Sequence, residues 1–251
     1  MRTYSILFAF LTVCLFLACN KDDDNPSSSK RLDFTTSTLS AGYSVYTYNT
    51  AGQIIDYDRS DYKYSLTDNG SELHLVVFNK AENRVAIDGV YTLNADGNII
   101  SGVIAFALDL NHPYTSNFTY EYDNNGYMIK RTDVRSNGIT FTSDLVWTNG
   151  DLTSVIWKQN GNDYVTDVLE YSGTADKLGI TQDLFYMPMN DFVGKVNKHL
   201  PKRGYSLMAP SSTPTSDYTF TYDLNNDGYP STLTLDDSDN SYHEVITYHY
   251  Q

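Results

Sequence analysis

The chain has 251 residues, a length that suits one large β domain or two small ones. It carries 31 Asp and Glu residues against 17 Lys and Arg residues, and the net charge of −14 disfavours binding to the phosphate backbone of nucleic acids. Both cysteines, Cys14 and Cys19, lie close to the N-terminus, which excludes a disulfide framework, a cysteine metal site and a thiol nucleophile in the rest of the chain.

Residues 1–18 have the pattern of a bacterial export signal. Arg2 supplies a positive start, and residues 6–18 form an almost wholly apolar run. This run is shorter than the roughly 20 residues that a transmembrane helix needs. It ends in Ala18 and Cys19, which together resemble the lipobox of bacterial lipoproteins, so Cys19 is the expected lipidation site. The alternative is an ordinary signal peptide followed by an unrelated cysteine.

Residues 19–34 are predicted to form a flexible acidic tether between the lipid and the folded domain. Three aspartates, residues 22–24, follow shortly after Cys19, and a polar linker comes next. An acidic cluster behind a lipobox resembles the surface-export signal of Bacteroidota lipoproteins. We therefore expect a protein that is anchored to the outer membrane by lipid and faces the cell exterior. The alternative for the acidic cluster is a solvated spacer on a periplasmic protein.

Residues 35–251 are predicted to form a single β domain built from hairpins. Apolar and polar residues alternate in one segment after another, and turns rich in Asn, Asp and Gly separate the segments. The chain therefore predicts an antiparallel meander. In chain order the alternating segments are 43–48, 53–57, 62–66, 73–78, 85–93, 99–108, 118–122, 127–129, 139–147, 152–157, 164–171, 218–222 and 245–250.

The hairpin that begins at Phe118 shows this pattern most clearly. Phe118, Tyr120 and Tyr122 share one face of a strand, while Thr119 and Glu121 share the other. The sequence Asp-Asn-Asn-Gly follows, in which Asp suits the start of a turn and Gly supplies the positive φ that closes it. The 22 tyrosines of the chain fit strands of this kind, whose rings pack while their hydroxyls reach water or a partner.

Strand ends recur at a nearly constant spacing, at Tyr122, Trp147 and Tyr171. One hairpin per period predicts an all-β fold, an antiparallel up-and-down meander of about 12 to 15 strands. So many consecutive strands are expected to coil, close into a barrel or split into two layers. We therefore expect a curved or barrel-like sheet.

One stretch, residues 178–210, interrupts the alternation. Asp191 suits a helix N-cap, and a weak apolar stripe at helical spacing follows it. Prolines and a glycine limit the length of any helix here. We therefore expect one short helical excursion near residues 183–203.

The same stretch holds the basic cluster of this acidic chain. Lys195, Lys198 and Lys202 are candidates for contact with an anion or a partner. The alternative is a plug or lid that packs on the sheet beside neutralising carboxylates. In that case Phe185 and Phe192 should be buried against the open end of the sheet, and their replacement by Ala should be strongly destabilising.

Two tryptophans are the aromatic candidates for ligand binding. Trp147 and Trp157 flank a turn at Asn149 and Gly150. If the intervening residues keep parity, both rings lie on one face, where they could stack on sugar rings. The alternative is that both belong to the core.

A weak calcium signal occurs at residues 223–228. Asp223, Asn225 and Asp227 match the first half of a calcium loop, but Thr234 stands where such a loop has its bidentate Glu. The alternative is a plain long turn. The five histidines lack metal-binding spacing, and no nucleotide or hydrolase motif occurs, so we expect no metal and no cofactor.

The lipobox, the acidic tether, the repeated Tyr-x-Tyr-Asp-x-x-Gly hairpins and the late stretch from Phe192 to Pro201 together resemble one family. It is an uncharacterised family of Bacteroidota lipoproteins, described as a domain of unknown function with a porin-like fold. The resemblance implies a curved or barrel-like antiparallel sheet and no catalytic residue. A membrane-spanning pore is not expected, because Thr119, Glu121 and Thr219 place polar groups on the face opposite the rings.

These observations predict a non-catalytic cell-surface lipoprotein that binds a glycan or another extracellular ligand and meets the membrane through the lipid on Cys19. One alternative is a structural or assembly lipoprotein that docks to another envelope protein through an exposed sheet edge. The other is an enzyme of unknown reaction, which is disfavoured because the sequence contains no recognisable nucleophile, base and orienting group.

Overall fold

The computed structural model describes residues 31–38, 43–50, 52–107, 113–178, 192–238 and 242–251. These residues form sixteen β-strands. In chain order they are β1 (Leu32–Ser37), β2 (Tyr43–Tyr48), β3 (Ile54–Arg59), β4 (Tyr62–Asp68), β5 (Glu72–Asn79), β6 (Arg84–Leu93), β7 (Ile99–Phe106), β8 (Tyr114–Tyr122), β9 (Met128–Arg135), β10 (Thr140–Thr148), β11 (Asp151–Gln159), β12 (Asn162–Ala175), β13 (His199–Met208), β14 (Pro214–Leu224), β15 (Pro230–Asp237) and β16 (His243–Tyr250).

The sheet closes into a barrel. Every strand pairs antiparallel with the strands before and after it in the chain, and β1 also pairs with β16. Thr35 lies opposite Tyr248 at this closure, and Phe118 lies opposite Asp133 between β8 and β9. The prediction of an all-β, antiparallel, barrel-like meander is thus confirmed, with one strand more than the upper end of the predicted range.

The prediction of a short helix near residues 183–203 is wrong for the part of that range that the structure describes. Residues 192–198 form no α-helix, and from His199 the chain continues as β13, which pairs with both β12 and β14. Two ladders of backbone hydrogen bonds outweigh the weak local preference for a helix here. Asp191 and Phe185 lie outside the described residues.

The export signal, Cys19 and most of the tether also lie outside the described residues, so the lipid anchor and the flexible tether stay predictions. The barrel itself begins slightly earlier than expected. Leu32 opens β1 and is 1% exposed, because it belongs to the apolar core. The last three residues assigned to the tether are therefore part of the first strand.

The two ends of the barrel differ. At the end that we call the capped end, residues 192–198 cross the turns that follow β8 and β10. The Lys195 amide donates to the Gly126 carbonyl at 2.9 Å, and the Lys198 amide donates to the Gly150 carbonyl at 3.2 Å. The opposite end, where β9 leads into β10 and β13 into β14, is called the distal end.

Inward-facing side chains pack together inside the barrel. They form two apolar clusters, one on β4–β12 and one on β1–β3 with β13–β16. Tyr91 and Leu73 are fully buried in the first cluster, and Leu233 is fully buried in the second. A round barrel of about sixteen strands can enclose an aqueous channel, but these buried rings and aliphatic chains form a packed core.

Outward-facing side chains include both ion pairs and exposed aliphatic residues. Lys130 lies 3.5 Å from Glu121, and Lys158 lies 2.7 Å from Asp144, while Val90 and Val103 are 44% and 54% exposed on neighbouring strands. Exposed ion pairs contribute little to stability, about 0–1 kcal/mol each. No helix in the described part of the chain is long and apolar enough to cross a membrane.

Candidate functional site

Aromatic side chains near the capped end tie neighbouring strands together. The Tyr122 hydroxyl, at the end of β8, donates to the Ile99 carbonyl at the start of β7 at 2.7 Å. The partially buried ring of each such residue thus packs inside the barrel while its polar atom is satisfied by backbone. The other pairs of this kind are Tyr48 with Leu32, Trp147 with Met128, Tyr171 with Leu152, and Tyr250 with Pro230.

Tyr222, near the end of β14, departs from this pattern. It lies two residues further from its turn than Tyr122 does, because Leu224 is the last paired residue of β14 before the turn. Its hydroxyl is buried, yet among the described residues that hydroxyl has no hydrogen-bond partner. The carbonyl near the start of β13, that of Leu200, instead accepts from the Ser172 hydroxyl at 3.0 Å. Burial raises the pKa of Tyr222 well above its ordinary value, so the hydroxyl stays protonated at physiological pH.

The wall of the barrel explains this exception. β13 and β14 are paired from Arg203, opposite Thr219, toward the distal end. The first residues of β13, nearer the capped end, are not paired with β14, so the two strands separate there. The register of β12 with β13 also shifts between Tyr171 and Ala175. The separation leaves a lateral cleft of about 220 Å³ in the wall. Tyr222 lines this cleft instead of bonding to β13.

Hydroxyl, aromatic and cationic groups line the lateral cleft. Phe220 and Tyr222 supply rings, Thr174 supplies a hydroxyl, and Lys202 is exposed at the rim. The cleft is smaller than the roughly 300–1,000 Å³ of pockets for drug-sized ligands, which favours a ligand of about one ring. The complete lining is Ser172, Thr174, Leu200, Pro201, Lys202, Phe220, Thr221, Tyr222 and Leu224.

Matched hydroxyl deletions test the special position of Tyr222. We expect Tyr122→Phe to lower the free energy of unfolding by about 1–2 kcal/mol, because the Ile99 carbonyl loses its donor. Tyr222→Phe should leave that free energy unchanged or raise it, because the hydroxyl that it removes has no partner in the described chain. Guanidinium unfolding of both variants checks this, and equal losses would contradict the assignment.

Both candidate tryptophans point into the barrel. The Trp147 indole donates to the Met128 carbonyl at 2.7 Å, and the Trp157 indole donates to the Asp167 carboxylate at 2.6 Å. Burial raises the pKa of Asp167. Trp157 lies opposite Ser143 on β10, four positions along that strand from Trp147, so the rings share the inner face at different heights. Neither ring lines the lateral cleft.

The three candidate lysines lie at three different places. The Lys195 ammonium lies 5.7 Å from the centre of the Tyr127 ring. The Lys198 backbone docks on the turn at Gly150, as described above. Lys202 lines the cleft and lies 3.6 Å from Glu170. The structure therefore brings one predicted lysine, Lys202, into the candidate site.

The stretch considered for calcium forms a turn. Asn225 Oδ1 accepts from the amides of Asp227 and Tyr229, both at 3.0 Å, and Asp223 accepts from a neighbouring threonine hydroxyl at 2.8 Å. Asp123 makes the same pair of bonds in its own turn. Turn formation thus accounts for the pattern. The described residues contain no group of three or more His, Cys, Asp or Glu placed to hold a metal ion.

Apart from Lys202, the sequence did not single out the residues that line the cleft. Tyr222 and Phe220 belong to a segment that repeats the hairpin at Phe118, so their pattern predicts packing alone. One signal was available. β13 is joined to β12 by the long interruption rather than by a tight turn, and strands without a tight connection are free to separate.

The chain belongs to the family described as a domain of unknown function (DUF4595) with porin-like fold, which matches residues 44–232. A porin-like protein from Bacteroides uniformis has a similar fold, with 15% identity, a TM-score of 0.61, and coverage of 89% of this chain and 96% of that one. A porin-like protein from Bacteroides vulgatus has 13% identity, a TM-score of 0.64, and coverage of 88% and 98%. The expected family is thus confirmed, and identities this low show the fold alone. None of the curated proteins matches this chain significantly.

Proposed function

We propose that this chain is a non-catalytic outer-membrane lipoprotein that binds a small sugar unit in the lateral cleft. The observation that carries the proposal is the Tyr222 hydroxyl, a buried donor without a partner in the described chain. Leaving such a group unpaired costs about 1–3 kcal/mol. A ligand oxygen that accepts a hydrogen bond from Tyr222 would recover that free energy.

The lining of the cleft supports a sugar as the ligand. A sugar ring presents hydroxyls around its edge and apolar C–H groups on its faces. Ser172 and Thr174 offer hydroxyls, while Phe220 offers an aromatic surface for packing. The volume of about 220 Å³ suits one such ring rather than a long chain.

The same lining supports binding without catalysis. The described residues that line the cleft include no carboxylate. Hydrolysis of a glycosidic bond commonly requires two carboxylates on opposite sides of the bond.

The outer wall supports a lipid tether rather than a spanning barrel. A barrel that crosses a bilayer presents an apolar band to lipid. Here Arg203 pairs with Asp217 at 2.7 Å and with Glu170 at 3.2 Å on the outer face. Together with the expected lipidation of Cys19, this favours a water-exposed domain held at the outer membrane and facing the cell exterior.

Titration of the mature protein with glucose, galactose, mannose and N-acetylglucosamine tests the proposal. We expect at least one of these sugars to bind by calorimetry. Tyr222→Phe should weaken that binding about tenfold, the equivalent of one lost hydrogen bond. Tyr122→Phe removes a tyrosine hydroxyl from β8, away from the cleft, and should bind as the natural protein does. No binding by any of the four sugars, or equal binding by Tyr222→Phe, would refute the proposal.

A docking role is the second candidate, because the separation of β13 and β14 leaves strand edges toward the capped end. An exposed edge can accept a strand from another protein. A photo-crosslinking residue at Leu224, which is 41% exposed beside the cleft, tests this in outer-membrane preparations. The matched control is Val134 on β9, which is 43% exposed. One stoichiometric envelope protein crosslinked at Leu224 but not at Val134, without sugar binding, would favour docking over the first proposal.

A further inference from the structure

A second cluster lies inside the barrel toward the distal end, away from the lateral cleft. Arg131, Asp133 and Arg135 alternate along β9 and therefore point to the same side. Asp133 lies opposite the buried Phe118, and Arg135 lies opposite the buried Ser116, which places this side in the interior. Two arginines and one aspartate leave a formal charge of +1 in a chain whose net charge is −14.

The guanidinium of Arg135 is held in a fixed position. Its central carbon lies 4.3 Å from the centre of the Phe141 ring and 5.0 Å from the centre of the Tyr114 ring. Its Nε donates to Asp133 Oδ2 at 3.3 Å, and Asp133 is itself 6% exposed. Aromatic rings and a buried carboxylate therefore fix the plane of the side chain.

The two terminal nitrogens of Arg135 are left for a ligand. In the described part of the chain, its hydrogen bond to Asp133 uses Nε alone. The side chain is 30% exposed, so a small molecule can reach it. Beside it, Ser116 Oγ is buried without a hydrogen-bond partner and can donate to a ligand oxygen. Asp133 Oδ1 is also buried without a partner, and because a carboxylate oxygen only accepts, the ligand must also carry a donor, such as a hydroxyl or N–H group, to complete it.

We propose that Arg135 is the centre of a carboxylate-binding site in the distal half of the barrel. The terminal nitrogens of a guanidinium form a planar fork that matches the two oxygens of a carboxylate. The Ser116 hydroxyl can donate to an oxygen of the same ligand, and Arg131, whose guanidinium lies 4.6 Å from the centre of the Phe118 ring, adds positive charge. The preorganised side chain loses little conformational entropy on binding, which favours affinity.

The carboxylate could belong to an acidic sugar or to the C-terminus of a peptide. Two matched pairs of probes separate these sources: glucuronate with glucose, and N-acetylalanine with its amide. In each pair the second molecule lacks the carboxylate. We expect one acid to bind by calorimetry and its uncharged counterpart to bind at least about tenfold more weakly at this site.

Two variants localise the binding. Arg135→Lys keeps the charge but loses the fork, and should weaken binding of the acid at least about tenfold. Arg203→Lys makes the same change beside an aromatic ring on the outer face, where Arg203 lies 4.8 Å from the centre of the Tyr205 ring, and should bind as the natural protein does. N-acetylalanine carries no sugar ring, so its binding does not depend on the sugar proposal.

An NMR measurement on the natural protein makes the test independent of variant folding. The Arg135 Nε–H resonance should shift as the acid is added, because the ligand polarises the whole guanidinium. Binding of neither acid, binding that is unchanged in Arg135→Lys, or an Arg135 resonance that does not move would each overturn the proposal.

Discussion

Phe192→Ala should lower the free energy of unfolding by about 3–5 kcal/mol, the range for removing a fully buried aromatic side chain. Phe192 is 2% exposed and belongs to the apolar cluster of β4–β12, although it lies in the irregular segment that crosses the capped end. The loss combines the apolar surface returned to water with the cavity left behind.

Urea unfolding followed by Trp fluorescence measures this loss. Val134→Ala is the control, because Val134 is 43% exposed and its truncation should change the free energy of unfolding by no more than about 0.5 kcal/mol. A loss below about 1 kcal/mol for Phe192→Ala would mean that the crossing segment is not anchored in the core. Limited proteolysis gives a second measure, since an anchored segment should resist cutting between residues 192 and 198.

Asp151→Ala should destabilise the barrel by about 3 kcal/mol or more, because one buried carboxylate holds the end of the crossing segment. Its Oδ1 accepts from the amides of Lys198 at 3.0 Å and His199 at 2.9 Å, and its Oδ2 lies 2.8 Å from His199 Nδ1. Asp151 is 7% exposed. Removing it leaves the His199 amide without its acceptor and the Lys198 amide with only its 3.2 Å bond to the Gly150 carbonyl. An unsatisfied buried group costs about 1–3 kcal/mol, and each hydrogen bond to a charged group contributes about 1.5–3 kcal/mol.

The control for this prediction is another aspartate paired with a histidine. Asp88 lies 2.7 Å from His74, but its side chain is 57% exposed on the outer face. Asp88→Ala should therefore change the free energy of unfolding by less than about 1 kcal/mol. The free energy of unfolding of Asp151→Asn, which keeps one oxygen acceptor, should lie between that of Asp151→Ala and that of the natural protein. Similar small losses for Asp151→Ala and Asp88→Ala would contradict the anchoring role.

These two anchors matter for the proposed site because the crossing segment leads directly into β13. His199 is both the residue that Asp151 holds and the first residue of that strand. The position of β13 relative to β14 decides the width of the lateral cleft. Variants that release the segment should therefore also weaken sugar binding, whereas Asp88→Ala should not.

Most of the fold could be predicted from the sequence because an up-and-down barrel pairs each strand with its neighbours in the chain. The alternation of Phe118, Tyr120 and Tyr122 and the turn at Asp123 are local features, and the structure has β8, a turn and β9 at that place. Side-chain parity and turn chemistry are properties of a few consecutive residues. The fold class, the hairpins and the family were therefore predicted correctly.

The helix prediction failed where local preference and long-range pairing disagree. The weak helical features lie at residues 191–196, but the prediction extended to residue 203, and from His199 the chain instead pairs with β12 and β14 on either side. The local sequence carries no information about these strand edges, because other parts of the chain supply them. Closure of β1 with β16 is a contact of the same kind, between Thr35 and Tyr248.

The sequence by itself determined the hairpins, their inward and outward faces, the family and the expected export signal. The tertiary structure decided which tyrosine hydroxyls near the capped end are paired. Tyr122 and Tyr222 both belong to alternating aromatic strands that precede an Asn- and Gly-containing turn, yet the first donates to Ile99 while the second lines a cleft and has no partner among the described residues. Likewise, nothing around Arg135 in sequence reveals that Phe141 and Tyr114 hold its guanidinium. The physical reason is that a hydrogen bond depends on where the partner strand lies, and strand separation is set by contacts between residues distant in sequence.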